Sequence, residues 1–371
     1  MSVPTSQREL ECASVPMRSS RHGDRTTPAI PTSRRKLPRW LPWAVFGAVG
    51  AVLAGILAVT GFSVVGFVLG TAAISGAIVY GSSWAVEGRR RATDRAVTMV
   101  VTSAFLLALT PLVSVLFTVI SRGVARMDLE FFTYSQQGII GAGGGVFHAL
   151  VGTLVITGLA TLISVPVGIL AAVYLVEYGR GKLRRALTFL VDVMVGIPSI
   201  VAGLFSYALF ALVFGPGITM GFMGALALSV LMIPIVVRSS EEMLRVVPRD
   251  LREAALALGV PKWRVVVKVV LPTAAAGMAS GVTLAIARIV GETAPLLVTV
   301  GIVAGTNWNP FNGEMATLSV FAYNEYQNPG VPQQPSFDQA WSAALLLICI
   351  VLVLNIVGRL IARAFSPKIR R

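Results

Sequence analysis

The residues with the clearest chemical potential are ionisable side chains inside long apolar stretches. Arg288 and Glu292 lie four positions apart in the apolar stretch 270–300, so a helix there carries both on one face, where they can pair. A charge in such a stretch is costly unless it is paired or faces a polar path. The planar guanidinium group of arginine donates two parallel hydrogen bonds and is suited to holding an oxyanion. The pattern predicts either an anion pathway at Arg288 or an ion pair that only fixes helix packing.

Two further charges lie near the ends of apolar stretches. Arg238 directly follows one, and it is either a second electropositive position for an anion or an ordinary membrane anchor. Asp192 lies near the start of the stretch 186–214. Because a carboxylate repels anions, we predict a structural role for Asp192, paired with a cation such as Arg184 or Arg185.

The composition of the whole chain explains why these charges stand out. Of its 371 residues, 55% are hydrophobic and 13% are charged, about half the charged share typical of soluble domains. A soluble enzyme with this composition would expose more apolar surface than water tolerates. The two cysteines, Cys12 and Cys349, are too far apart and isolated for a disulfide scaffold or a zinc module. The sequence therefore predicts an all-α integral membrane protein, a polytopic helix bundle.

The elements that must position the charges are membrane-spanning helices of about 20 apolar residues each. Breaks are expected at Gly196-Ile197-Pro198 and between Gly291 and Pro295, because proline removes a backbone hydrogen bond. The first two stretches would form a tight hairpin near Gly61, with one long re-entrant segment as the alternative. The predicted spans number about eight: 41–60, 62–80, 96–121, 146–176, 186–214, 219–237, 270–300 and 340–362.

The net charge of +14 carries topological information. With eight spans, 28 of the 31 lysines and arginines fall on one side of the membrane, in segments 1–40, 81–95, 177–185, 238–269 and 359–371. Only Arg122 and Arg126 fall on the other side, and Arg288 lies within a span. Basic loops remain in the cytoplasm, so both termini are predicted to be cytoplasmic. Attraction to anionic membrane lipid would act in the same direction, and we predict no nucleic-acid partner.

The cytoplasmic loop 238–270 is amphipathic and helical by pattern. Ser239 or Ser240 would cap a first helix. Pro248 begins a second helix, and Gly259 ends it in the position that glycine favours.

A stripe of small and apolar residues runs along that second helix, formed by Leu251, Ala254, Ala255 and Leu258. A third helix is expected from Lys262. Such a short helix either docks into a groove of another protein or packs on its own bundle, and spacing alone leaves both open.

A spaced run of residues begins in this loop: Glu253-Ala254-Ala255, three residues, Gly259, nine residues, Val269, one residue and Leu271-Pro272. This run resembles the coupling-loop motif of ABC-importer permeases. The one departure is Val269, where the motif has isoleucine. The resemblance implies that this loop enters a cleft of a cytoplasmic ATPase. It also implies that Glu253, Ala254, Ala255 and Gly259 are the coupling residues.

Three further runs resemble phosphate-import permeases of the PstA type: 174–178, 196–205 and Gly291-Glu-Thr-Ala-Pro-Leu-Leu297. The resemblance covers roughly residues 90–365 and implies a six-span permease core containing the coupling loop 238–270. The tails 1–40 and 366–371 are basic, the first is predicted to be disordered, and the hairpin 41–80 is extra to that core.

The resemblance implies a membrane subunit that moves phosphate and has no ATPase site of its own; the sequence contains no GxxxxGK[ST] motif. The implied partners are a PstC-type permease, two PstB-type ATPases that bind ATP and Mg, and a PstS-type phosphate-binding protein outside. No cofactor or metal is expected in this chain. The outer segments 122–145 and 301–339 would meet the binding protein. Arg288 and Glu292 would form the pathway, because phosphate would replace Glu292 as the partner of Arg288. Arg238 would assist the passage of phosphate.

Two alternatives remain at this point. An ABC permease for molybdate or sulfate shares the coupling loop but should lack the Gly291–Leu297 run. An ATP-independent secondary transporter would show internal sequence symmetry and ion-binding carboxylates in broken helices, and neither is seen.

Overall fold

The computed structural model describes residue 38 and residues 40–60, 64–139, 141 and 143–365. The predicted tails lie almost entirely outside the described residues, as does Gly61. Every regular element in the described part is helical. The elements are α1 (Leu41–Thr60), α2 (Val64–Glu87), α3 (Arg89–Gly123), α4 (Leu129–Thr133), α5 (Phe147–Val173), α6 (Gly181–Val195), α7 (Ser199–Phe214), α8 (Gly221–Val246), α9 (Arg249–Ala257), α10 (Lys262–Val265), α11 (Leu271–Val290), α12 (Ala294–Thr299), α13 (Leu318–Gln327) and α14 (Gln333–Phe365).

The prediction of an all-α membrane bundle is confirmed. Within the described ranges, seven helical segments are long and apolar enough to cross a membrane, and the bent pair α6–α7 raises the number to eight if it forms one span. α1 and α2 are separate helices that pack on each other, as the predicted extra hairpin requires. The eight segments correspond to the eight stretches read from the sequence.

The break predicted at Gly196-Ile197-Pro198 is a bend of 108° between α6 and α7. Gly196 caps α6, and Pro198 directly precedes α7, where its missing N–H group costs nothing. α6 has charged residues along one side, whereas α7 carries no charge and is mostly apolar. The sharp turn thus separates an amphipathic helix from an uncharged, mostly apolar one.

The predicted helix cap at Ser239 or Ser240 is wrong, because α8 continues through both residues to Val246. The Ser239 hydroxyl donates to the Val236 carbonyl oxygen one turn back, at 3.3 Å, so it is used inside the helix. Ser240 is fully buried. The membrane helix and the first cytoplasmic helix are therefore one rigid element.

The third predicted helix is also longer than expected. α10, one turn of π-helix at Val266–Val270 and α11 follow one another without a gap. Pro272 lies in the first turn of α11, just after this π-helical turn, and does not interrupt the helical segment. One helical segment therefore runs from the cytoplasmic loop to Val290.

The chain divides into two compact units, residues 1–112 and 113–371, and the division falls within α3. The larger unit has its main core between α5, α8 and α11, where Ile156, Met232 and Ile289 are fully or almost fully buried. A second cluster beside the cytoplasmic loop contains Leu244 and Val265. This second cluster supports the helix that carries the coupling motif.

Candidate functional site

The coupling motif lies on α9 and the turn that ends it. Gly259 has φ of +74°, a left-handed conformation that glycine adopts without strain. The Gly259 N–H donates to the Leu256 carbonyl at 2.9 Å, and the Val260 N–H donates to the Ala255 carbonyl at 3.4 Å. These two bonds define a Schellman turn, so the predicted helix end at Gly259 is confirmed.

The outer surface of α9 is open to solvent. Glu253, Ala254 and Gly259 are exposed, and Leu258 is 84% exposed. Ala255 instead packs partly against the cluster around Leu244. The predicted stripe is thus divided. Ala255 packs α9 against the bundle, whereas Leu251 and Leu258 are exposed.

Two cations contact the run 174–178 that follows α5: Arg252 from α9 and Lys262 from the start of α10. The Arg252 Nε lies 3.1 Å from the Glu177 Oε1, and both side chains are largely buried. The Lys262 ammonium donates to the Glu177 carbonyl oxygen and lies 4.9 Å from the centre of the Tyr178 ring. Sequence reasoning missed these contacts, although it had noted the run 174–178 as a motif.

Arg238 is held by two carboxylates. Its guanidinium donates to Glu241 at 2.8 Å and also pairs with Asp192 of α6. Glu241, whose side chain is 4% exposed, also pairs with Arg245. The predicted pairing of Asp192 with Arg184 or Arg185 is wrong, because α6 packs against α8 and brings Asp192 to Arg238.

Arg288 and Glu292 do not form the predicted ion pair. α11 ends at Val290 and Gly291 caps it, so the two residues no longer share one helical face. The Glu292 carbonyl oxygen accepts a hydrogen bond from the Ser319 hydroxyl at 2.8 Å. Arg288 is exposed, and no carboxylate of the described residues lies within ion-pair distance of it. Its charge is therefore available to a ligand.

The two broken segments meet in the structure. A Cβ atom added to Gly203 of α7 would lie 2.7 Å from the Pro295 Cα of α12, closer than such atoms can approach. The predicted break between Gly291 and Pro295 is present, with Thr293 preceding α12. The runs 196–205 and 291–297 are thus joined by direct backbone contact, which the sequence did not indicate.

A cavity of about 360 Å³ borders this break. Its walls come from Gly291, α13 and α14, and they include the hydroxyl-bearing residues Thr293, Ser319 and Tyr323. The Thr293 and Tyr323 hydroxyl groups can donate hydrogen bonds to an oxyanion, whereas the Ser319 hydroxyl already donates to the Glu292 carbonyl. Thr293 belongs to the run 291–297 noted in the sequence, but no role was predicted for its hydroxyl. Ser319 and Tyr323 were not identified from the sequence, because isolated hydroxyl side chains carry no spacing signal.

Comparison with known proteins agrees with these features. Residues 164–371 match the family described as binding-protein-dependent transport system inner membrane component. The phosphate transport system permease protein PstA 1 of Mycobacterium tuberculosis is 47% identical over 286 residues, which cover 76% of this chain and 91% of that protein. The chain is a PstA-type permease of this family. The PstA protein of Pasteurella multocida is 42% identical over 255 residues, covering 68% of this chain and 87% of the relative.

A solved structure gives an independent comparison of the fold. A bacterial ABC transporter involved in the import of the polysaccharide alginate matches with a TM-score of 0.50 at 13% identity. The match covers 74% of this chain and 97% of the other. At this identity the likeness concerns the fold alone. As members of this family are membrane components of transport systems, this PstA-type permease is a multi-pass inner membrane subunit and not itself an enzyme.

Proposed function

We propose that this permease moves inorganic phosphate across the cytoplasmic membrane as one membrane subunit of an ATP-driven importer. The observation that carries the proposal is the 47% identity to a phosphate transport permease along nine-tenths of its length. The exposed coupling helix supports an energy source outside this chain. The partners we propose are a PstC-type permease, two PstB-type ATPases that bind ATP and Mg, and a PstS-type binding protein. On the charge distribution, both termini lie in the cytoplasm.

The contacts of α9 suggest how ATP-driven closure reaches the membrane. Glu253, Ala254 and Gly259 would lie in the ATPase cleft, with Ala255 between that cleft and the bundle. A displacement of α9 would then move α5 through the Arg252–Glu177 pair. The helical segment from Lys262 to Val290 follows α9 after a turn of four residues and would move with it. The Arg252–Glu177 pair is largely buried and the turn is short, so little of the motion would be lost in flexible loops.

Arg288 is the residue we propose to contact phosphate. It is an exposed cation at the end of α11, next to the break that begins at Gly291. Glu292 and Ser319 lie beside that break. A single arginine binds an oxyanion weakly enough to release it, as conduction requires. Arg238 is held by carboxylates, so it would contribute only in a conformation that separates it from Asp192.

Uptake of labelled phosphate into vesicles containing the assembled complex tests this function, with ATP hydrolysis measured in parallel. We expect Arg288→Ala to lower uptake at least tenfold while assembly and ATP hydrolysis persist, and Arg288→Lys to retain part of the activity. Arg359→Ala, which removes an exposed arginine from α14, is the matched control. Unchanged uptake in both Arg288 variants would remove this residue from the pathway. ATP-driven uptake of sulfate or molybdate in place of phosphate would refute the assignment of phosphate as the substrate.

A further inference from the structure

The smaller unit contains a groove that transport does not explain. It has a volume of about 200 Å³ and lies between the start of α1 and the first half of α3. Pro42, Trp43 and Phe46 line it from α1. From α3 it is lined by Arg95, Thr98, Met99, Thr102, Ser103 and Leu106. The α3 residues recur at intervals of three and four, so the groove follows one face of that helix.

The wall of the groove is more apolar than its residue types suggest. The Thr98 hydroxyl donates to the Asp94 carbonyl at 2.9 Å, and the Thr102 hydroxyl donates to the Thr98 carbonyl at 2.8 Å. These hydroxyls are satisfied by their own helix, so they present methyl groups to the groove. From Arg95 to Leu106 the helix rises about 16 Å. The groove is thus long, narrow and apolar, which suits a hydrocarbon chain.

One end of the groove is basic. Arg91 is exposed and precedes Arg95 by four residues, so it lies on the groove face one turn beyond the lining residues. Arg95 itself pairs with Glu87 at 2.9 Å. Between residues 81 and 100 there are four arginines against two carboxylates, Glu87 and Asp94. The mouth of the groove therefore keeps a net positive charge.

The same end carries exposed tryptophans. Trp40 directly precedes α1, Trp43 lies in its first turn, and Trp84 lies in the last turn of α2; all three are more than half exposed. Tryptophan is enriched where the membrane meets water, because its ring is apolar and its N–H group is polar. The basic mouth is thus placed at the depth of lipid headgroups, and the apolar groove extends from it into the hydrocarbon region.

We propose that this groove binds one anionic phospholipid. The phosphate group of the lipid lies against Arg91, and one acyl chain fills the groove past Phe46 to Leu106. Basic residues beside an apolar surface are the usual recognition elements for such lipids. The segment 1–40 of this chain is a poor occupant, because it carries eight basic and three acidic residues and would be repelled by the basic mouth. This role gives the extra hairpin a function independent of phosphate transport.

The test measures lipid binding to the full-length chain in detergent by native mass spectrometry, with phosphatidylglycerol and phosphatidylcholine as probes. We expect phosphatidylglycerol to bind with the lower Kd. Arg91→Gln should raise that Kd about fivefold, the effect of one basic residue near a headgroup. Arg359→Gln is the matched loss of charge elsewhere and should leave it unchanged. Equal Kd values for the two lipids, or equal effects of the two substitutions, would overturn the proposal.

A second pair of variants tests the groove itself. Ser103→Trp fills it and should abolish the preference for phosphatidylglycerol, whereas Ala104→Trp adds the same ring on a neighbouring exposed position outside the lining and should retain it. Full retention of the preference for phosphatidylglycerol in Ser103→Trp would overturn the proposal.

Inorganic phosphate should not displace the lipid. Complete displacement would indicate a simple anion site and would also overturn the proposal. Phosphate uptake does not enter these measurements, so the lipid site and the transport function can fail separately.

Discussion

Arg252 is the side chain that most directly links the coupling helix to the bundle. Its guanidinium pairs with Glu177 at the end of the α5 segment and also donates to the Leu244 carbonyl at 2.7 Å. We expect Arg252→Ala to weaken the attachment of α9 by about 2 kcal/mol, because it removes a charged donor from the Leu244 carbonyl and the cation beside the buried Glu177 carboxylate. The measurable result is lower phosphate uptake per ATP hydrolysed in reconstituted vesicles.

The control for that variant is Arg249→Ala, which removes an exposed arginine from the same helix. It should keep the wild-type ratio of transport to hydrolysis. In a double-mutant cycle, Glu177→Gln should add little to Arg252→Ala, since the two residues form one pair. Additive effects would mean that the contact does not transmit coupling.

Glu325 predicts a pH dependence on α13. Burial raises the pKa of its carboxyl above the usual value of 4.5, and a hydrogen bond with Ser336 opposes part of that rise. A raised pKa in the folded chain means that ionisation destabilises the fold, so stability is greatest below 4.5 and falls as the pH rises through the folded pKa. Glu325→Gln should melt at a higher temperature than the wild type at pH 8 and at about the same temperature at pH 4. The opposite order at pH 8 would contradict this assignment.

The contact between α7 and α12 depends on the absence of a side chain at one position. Gly203→Ala would place its Cβ against Pro295, so the two helices must separate or strain, at a cost of about 1–3 kcal/mol. We expect a lower melting temperature and reduced uptake. Gly158→Ala in α5 is the same substitution where nothing lies within 4 Å, and it should be neutral or slightly stabilising. Equal melting temperatures for the two variants would show that the contact is loose.

For the molecule as a whole, the distribution of arginine and lysine predicts a sidedness that labelling can test. In a chain whose Cys12 and Cys349 are replaced by serine, a membrane-impermeant thiol reagent should label Asn312→Cys in intact cells. It should label Leu258→Cys only in inside-out vesicles. Both positions are exposed, so burial cannot account for a difference between them. Labelling of Leu258→Cys in intact cells would reverse the proposed orientation.

The helices, the membrane class and the limits of α9 could be predicted from the sequence, because each depends on a local pattern. An apolar run of about 20 residues suffices for a span, and a glycine followed by a proline ends a helix wherever the chain goes next. The predicted helix cap at Ser239 or Ser240 was wrong, because a serine hydroxyl can either cap a helix or bond to a carbonyl within the helix. The choice depended on how α8 packs against α11.

The partners that charged side chains find on other helices were decided by the tertiary structure. Arg238 pairs with Asp192, 46 positions away, and Lys262 reaches the Glu177 carbonyl, 85 positions away. No periodicity links residues at such separations; they meet because separate helices pack side by side. The reverse holds for Arg288 and Glu292, which are close in sequence but separated by the end of α11. Hydropathy along the chain determines which segments enter the membrane, whereas packing between helices determines which of their charges are neutralised and which, like Arg288, remain available.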